Sequence, residues 1–148
     1  MSHTYALNLL HVVFSTKNRA PLIRNLDLLV KDLRGIARNK NIDVLAAGGT
    51  ANHVHLLLRV PPVRTVSESI RDLKANSSRY MSETSGHFAW QDGYAAISVS
   101  PSQVDAVRAY IDGQEQHHAK RTYEEEITAL LEKSGVPYES EYFVGCRR

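Results

Sequence analysis

Asn52-His53-Val54-His55-Leu56-Leu57-Leu58 is the stretch from which the fold of this chain can be read. Two histidines flank a valine, and an aliphatic run follows at once. Side chains alternate faces along a β-strand, so His53 and His55 share one face while Val54 points to the other. Their Cα atoms would lie about 6–7 Å apart, close enough for both imidazoles to reach one metal ion. Two ligands do not complete a site, so a third and a reactive group must come from elsewhere.

Outward from this strand, the neighbouring segments fall into place. Tyr5 to Ser15 is rich in Leu, Val and Phe and predicts a largely buried strand. Ser15-Thr16-Lys17-Asn18-Arg19 and Pro21 break it. Leu26, Leu29, Val30, Leu33, Ile36 and Ala37 follow the spacing of an amphipathic helix. A strand is expected from Ile42 to Ala47, with Gly48-Gly49 as a turn before the histidine strand, which Pro61-Pro62 ends. Thr65 to Glu68 reads as a capping box opening a helix with Val66, Ile70, Leu73 and Met81 inward. Ser85 to Gly93 is a loop, and Tyr94 to Ser98 a short strand. Ser100-Pro101-Ser102-Gln103 reads as another boxed helix start, running through Tyr110 and Gln114 towards His118. A last helix begins at Thr122, with Glu125 completing its box, and stops at Gly135.

The order strand, helix, strand, strand, helix, strand, then helices is that of an α+β protein. It predicts a ferredoxin-like, RRM-like split βαβ antiparallel sheet with helices on one face and the other face available, plus a C-terminal tyrosine-bearing helix. The 148 residues fit one domain, with residues 1–99 as sheet core and 100–148 as a C-terminal helical part. A composition of 43% hydrophobic and 23% charged residues is ordinary for a globular protein. The net charge of only +2 means that any nucleic-acid contact must come from local basic patches. The single cysteine, Cys146, excludes an intramolecular disulfide. No apolar run approaches a membrane span and no signal-peptide pattern opens the chain, so a cytoplasmic protein is expected.

Among the seven tyrosines, Tyr110 stands out, because Tyr110-Ile111-Asp112-Gly113-Gln114 sets a phenol and a carboxamide at i and i+4 on a helix. Val104, Val107 and Ile111 supply an apolar stripe beside them, and His117 follows a turn later. A phenol with an ordinary pKa of about 10 is a poor nucleophile at neutral pH. A divalent cation beside it can polarise a phosphodiester oxygen and offset charge developing in the transition state. Attack by tyrosine rather than water would keep the energy of the broken bond in a covalent link, which suits breakage and rejoining.

The pieces together resemble the single-tyrosine HUH transposases, the small single-strand transposases of bacterial insertion sequences and their palindrome-associated relatives. The resemblance rests on Phe14-Ser15-Thr16-Lys17-Asn18-Arg19, then Asn52-His53-Val54-His55-Leu56-Leu57, then Val66-Ser67 to Leu73-Lys74-Ala75-Asn76-Ser77-Ser78. Trp90-Gln91-Asp92-Gly93-Tyr94 and Tyr110-Ile111-Asp112-Gly113-Gln114 complete it, in this order, from about Leu7 to His118. It implies metal ligands at His53, His55 and Gln114 and a nucleophile at Tyr110. It further implies Mg²⁺ or Mn²⁺, single-stranded DNA with imperfect palindromes that form hairpins, a 5′-phosphotyrosine intermediate, and a homodimer. Lys17, Arg19 and Lys74 become candidate DNA contacts. Asn52 stands where relatives often carry aspartate, a change that can alter the hydrogen bonding behind the ligands. The same residues also allow a domesticated hairpin-DNA-binding protein, or a metal-dependent nuclease using water.

Other features read more simply. His117 and His118 read as a solvated helix end, Arg71, Lys74 and Arg79 as a solvated helix face, and Trp90 as a packing anchor. Glu124, Glu125 and Glu126 suit the first turn of a helix, where negative charge is favourable, and read as structural. His11 reads as a hydrogen-bonded sheet residue. Gly113 costs the tyrosine helix about 1 kcal/mol against alanine and marks a flexible point.

Overall fold

The computed structural model describes residues 3–118 and 121–139. From Leu9–Ser15 (β1) the chain passes through a 3-10 turn at Lys17–Arg19 to Leu26–Asn39 (α1), Asp43–Gly49 (β2) and His53–Arg59 (β3). Val66–Ser85 (α2) and Ala95–Ser98 (β4) follow. A second 3-10 turn, Pro101–Gln103, leads into Val104–Asp112 (α3), Gln114–His118 (α4) and Tyr123–Ser134 (α5). The sheet order is β2-β3-β1-β4, every neighbouring pair being antiparallel. Strands β1 and β2 run the same way, joined by α1, and β3 inserts between them, which is the split βαβ arrangement expected from the sequence. The histidine strand is therefore central.

Strand periodicity sorts the side chains into two layers. Leu10, Val12, Phe14, Val54, Leu56 and Leu58 face α1 and α2, where they bury Leu29, Leu33, Ile70, Leu73 and Met81. His11, Val13, Ser15, His53, His55 and Leu57 occupy the alternate positions and face the other way. A one-residue slip of β3 would drive both imidazoles into the aliphatic layer, so burial on two faces pins the register. The second face is not left available, as the RRM-like expectation had it. Ile111 of α3 packs on Ala46 and Leu57, and Tyr123, Ile127 and Leu131 of α5 pack on Val13 and Ala95. Their apolar stripes would otherwise meet water, and the sheet face is the surface that buries them.

The helix starts follow their capping chemistry. Thr65 with Glu68 and Thr122 with Glu125 form reciprocal capping boxes. Ser100 and Gln103 do not; the Ser100 hydroxyl turns to Ser102, 3.0 Å away, and Pro101–Gln103 winds as a 3-10 turn. Tyr5 is exposed and β1 begins only at Leu9. The tyrosine helix is broken at Gly113, whose N–H donates to both Ala109 and Tyr110 carbonyls at 3.2 Å. Cys146 lies outside the described residues. Among the described residues, no helix is long and apolar enough to cross a membrane.

Gly48 and Gly49 are strand residues, paired with His55 and Val54, and the turn is Thr50–Asn52. The glycines are there for close approach rather than for turning. A Cβ on Gly48 would collide with the backbone carbonyl of Ile111, so its absence is what lets α3 lie directly on β2. Gly48→Ala should lower unfolding stability by about 1–3 kcal/mol in urea melts. Gly113→Ala should cost far less, because a Cβ there meets only ordinary contacts, the nearest at 3.5 Å. Equal midpoints for the two variants would overturn this account of Gly48.

Candidate active site

The two β3 imidazoles project beneath the C-terminal helices and are fully buried. Behind them, His53 Nδ1 meets Asn52 Oδ1 at 2.8 Å and Thr50 Oγ1 at 3.1 Å. His55 Nδ1 meets His11 Nε2 at 2.8 Å across β1. These back contacts fix both rings and aim both Nε2 atoms forward, the usual support of metal-ligating histidines. His11 is thus a sheet-face residue with a specific partner, in keeping with its sequence reading. Asn52, the departure from the common aspartate, still fills the supporting role with an amide oxygen.

In front of the rings, α3, α4 and α5 deliver three further groups. Gln114 Oε1 lies 3.1 Å from His53 Nε2, and Gln114 Nε2 donates to Glu126 Oε2 at 3.0 Å. The amide orientation is set by that carboxylate, which turns the carbonyl oxygen towards His53. The Tyr110 hydroxyl also donates to Glu126 Oε2, in a short hydrogen bond. Glu126 Oε1 lies 3.2 Å from His53 Nε2, 3.1 Å from His55 Nε2 and 2.8 Å from His118 Nε2. The structure brings His53, His55, Gln114 and Tyr110 together within one chain; sequence spacing had set only Tyr110 beside Gln114, and the resemblance alone implied their meeting with the histidines.

Glu126 is the residue the sequence reading missed. Among Glu124, Glu125 and Glu126, the middle residue serves the capping box and Glu124 pairs with Arg19. Glu126 alone is buried, at the centre of the cluster. The only signal available beforehand was spacing: Tyr123, Glu126, Ile127 and Leu131 share the inward stripe of α5, and a carboxylate on such a stripe demands partners. His118 is likewise no solvated helix end but a donor to Glu126, while His117 stacks on Tyr110 with ring centroids 4.5 Å apart.

The electrostatics follow from burial. Burial, with Glu126 beside it, pushes the Tyr110 phenol up to about 12, so it holds its proton at neutral pH. Burial would raise the Glu126 carboxyl as well, but hydrogen bonds from His53, His55 and Tyr110 outweigh it and leave it below the usual carboxylate range. Burial, and next the neighbouring His55, lower the His11 imidazole from 6.5 to about 3; His55 is lowered too, chiefly by burial. Between pH 6.5 and about 3 the unfolded chain then binds more protons than the folded one, so stability falls as pH drops through that window. Urea midpoints of the protein in chelator should decline steadily across it; a flat profile would contradict the burial of these rings.

The Nε2 atoms of His53, His55 and His118 and the oxygens of Glu126 and Gln114 converge here, and their chemistry fits a cation. With its Nδ1 turned to Asn52, His53 presents Nε2 to two oxygens, Glu126 Oε1 and Gln114 Oε1, an arrangement that a cation between them would satisfy. Ligand atoms of His53, His55 and Glu126 lie within 4.8 Å of one another.

The candidate DNA contacts differ in their surroundings. Lys17 is exposed. The Arg19 guanidinium is held by Glu124 of α5. Lys74 is not on a solvated face: its ammonium donates to the carbonyls of Gln91 and Gly93 at 2.7 and 2.8 Å and lies over the Phe14 ring. Gln91 N–H donates to Ser15, and Lys17 N–H to Ala89, so the loop before β4 is laced to the end of β1. Trp90 anchors it between Phe14 and Phe88, donating to Ser77 at 3.0 Å.

Comparison with known proteins shows what the chain resembles. Residues 4–114 match the family described as IS200-like transposases. The transposase of insertion sequence IS200 from Salmonella typhimurium is 27% identical over 145 residues, covering 91% of this chain and 88% of that protein. A candidate transposase from Deinococcus radiodurans R1, solved as a crystal structure, superposes with a TM-score of 0.62 at 25% identity, over 77% of this chain and 96% of the other. A REP-associated tyrosine transposase bound to a REP hairpin shares the fold, with a TM-score of 0.61 at 15% identity over 80% and 73% of the two chains.

Proposed function

The chain belongs to the IS200-like transposase family, and from that premise we propose that it cleaves and rejoins single-stranded DNA at hairpin-bearing ends through a 5′-phosphotyrosine intermediate. The observation that carries this reading is the meeting of Tyr110 with the His53–His55 pair and Gln114 in one buried cluster. A hydrolase that used water would have no need of a phenol held there.

In this reading Tyr110 Oη attacks a phosphorus. The bond to the 3′ oxygen breaks, the DNA 5′-phosphate stays on the tyrosine, and the phenolic proton is made up on the released 3′-hydroxyl. Reversal by a second 3′-hydroxyl rejoins the strand with no external energy source. His53, His55 and Gln114 would hold Mg²⁺ or Mn²⁺, which when bound polarises the phosphodiester and offsets developing negative charge. Glu126 keeps the phenol aimed into the site, and the β1 and α5 walls exclude bulk water. Lys17, beside the laced loop at the end of β1, is the proposed phosphate contact, with Arg19 and Lys74 shaping that surface. The hairpin held by the REP-associated relative supports hairpin DNA as the substrate class. The homodimer implied by the sequence resemblance belongs to the same proposal.

The test is a labelled single strand carrying an imperfect palindrome, incubated with protein and Mn²⁺ and run under denaturing conditions. A protein-linked labelled fragment that survives denaturation is expected. Tight, salt-sensitive hairpin binding with no adduct under any divalent ion would replace this reading with a binding protein that no longer moves DNA.

A further inference from the structure

Capping and the helix dipole account for Glu125, and Arg19 accounts for Glu124; neither explains why Glu126 is buried at the end of the imidazoles. The three ligands expected from sequence, His53, His55 and Gln114, are all neutral when they bind a metal. A divalent ion held by them alone would carry its whole charge in among ligands that the sheet and three helices bury, where uncompensated charge is unfavourable. Mg²⁺ is held in proteins through one or two carboxylates for this reason. One carboxylate is present, and its two oxygens are divided between two tasks. Oε1 faces His53 Nε2 and His55 Nε2 and accepts from His118 Nε2, whereas Oε2 takes the Tyr110 hydroxyl and the Gln114 amide.

We propose that Glu126 is itself a metal ligand through Oε1 and a positioning residue for Tyr110 and Gln114 through Oε2, so that α5 is a working part of the active site. This rests on the reading of His53 and His55 as metal ligands and adds a fourth, anionic one from a helix beyond residues 4–114, the stretch that carries the family pattern. One side chain then ties the metal to the nucleophile. It also makes the docking of α5 depend in part on the metal: without the cation, hydrogen bonds, the Arg19–Glu124 ion pair and the Tyr123–Ile127–Leu131 stripe hold the helix down.

The decisive measurement is Mn²⁺ binding by calorimetry to the full chain, its Glu126→Gln variant and its His53→Ala variant. Glu126→Gln keeps the shape and removes the charge, and should weaken Mn²⁺ by about tenfold or more. Wild-type affinity in Glu126→Gln with loss in His53→Ala would overturn the assignment and leave the metal site standing. Wild-type affinity in both would remove the metal reading and this inference together. Hydrogen exchange of the unmodified protein provides a check that needs no variant. Mn²⁺ should slow amide exchange across residues 124–134, and exchange there indifferent to saturating Mn²⁺ would equally overturn the proposal.

Discussion

Tyr110→Phe should abolish the covalent protein–DNA adduct, lowering strand cleavage by about 10³-fold or more, while hairpin affinity stays within about twofold. The split between chemistry and binding follows from where the hydroxyl sits. It donates to Glu126 Oε2, which still receives the Gln114 amide when the hydroxyl is gone. The ring keeps its stack on His117 and its edge contacts with His11 and His55, so the cluster should stay in place. A pulse of oligonucleotide followed by denaturing electrophoresis reads the adduct, and anisotropy reads binding. Cleavage persisting in Tyr110→Phe would mean that water or another group attacks. Tyr123, tilted against His53 with ring centroids 4.6 Å apart, would then be the first tyrosine to examine. Burial pushes the Tyr123 phenol up to about 12 as well, so no difference in acidity distinguishes the two. The choice between them rests on the contact of Tyr110 with Glu126 and on its spacing to Gln114.

His53→Ala should remove cleavage to a similar extent and, with it, the thermal stabilisation conferred by Mn²⁺. At an ion concentration of about 100 times Kd, binding to the native state alone adds about 2.7 kcal/mol, or roughly 5–10 °C in Tm for a chain of this size. In His53→Ala that increment should vanish. Its Tm in chelator should also fall, because Glu126 loses a buried partner and Asn52 faces a cavity. Comparing each protein with and without Mn²⁺ separates the two effects. A full Mn²⁺ increment in His53→Ala would refute the ligand assignment, whatever became of activity.

Much of this was legible in the chain because it depends on local spacing. The i, i+2 histidines on an aliphatic strand, the i, i+4 tyrosine and glutamine, and the Thr65 and Thr122 capping boxes all describe residues a few positions apart. Their geometry is set by strand and helix periods. Apart from the local Ser100 capping box, the readings that failed depended on what packs against what. Gly48-Gly49 has the local signature of a turn, yet an adjacent helix backbone claims the space a side chain would fill. Lys74 has the look of a solvated helix residue, yet its ammonium closes a loop whose carbonyls arrive from residues 91 and 93. Nothing within a few residues of either position announces these neighbours.

By itself, then, the sequence determined the strand that carries the histidines, the helix that carries the phenol, and the family to which both point. Periodic hydrophobicity and short motifs are local and survive in one dimension. Only the tertiary structure decided that the second face of the sheet is closed by α3 to α5, and that Glu126 stands where imidazoles, amide and phenol converge. A glutamate in a helical first turn looks alike in sequence whether it faces solvent or core. Which of three consecutive carboxylates is buried depends on how α5 rotates to cover Val13 and Ala95, and that rotation is a property of the packed molecule.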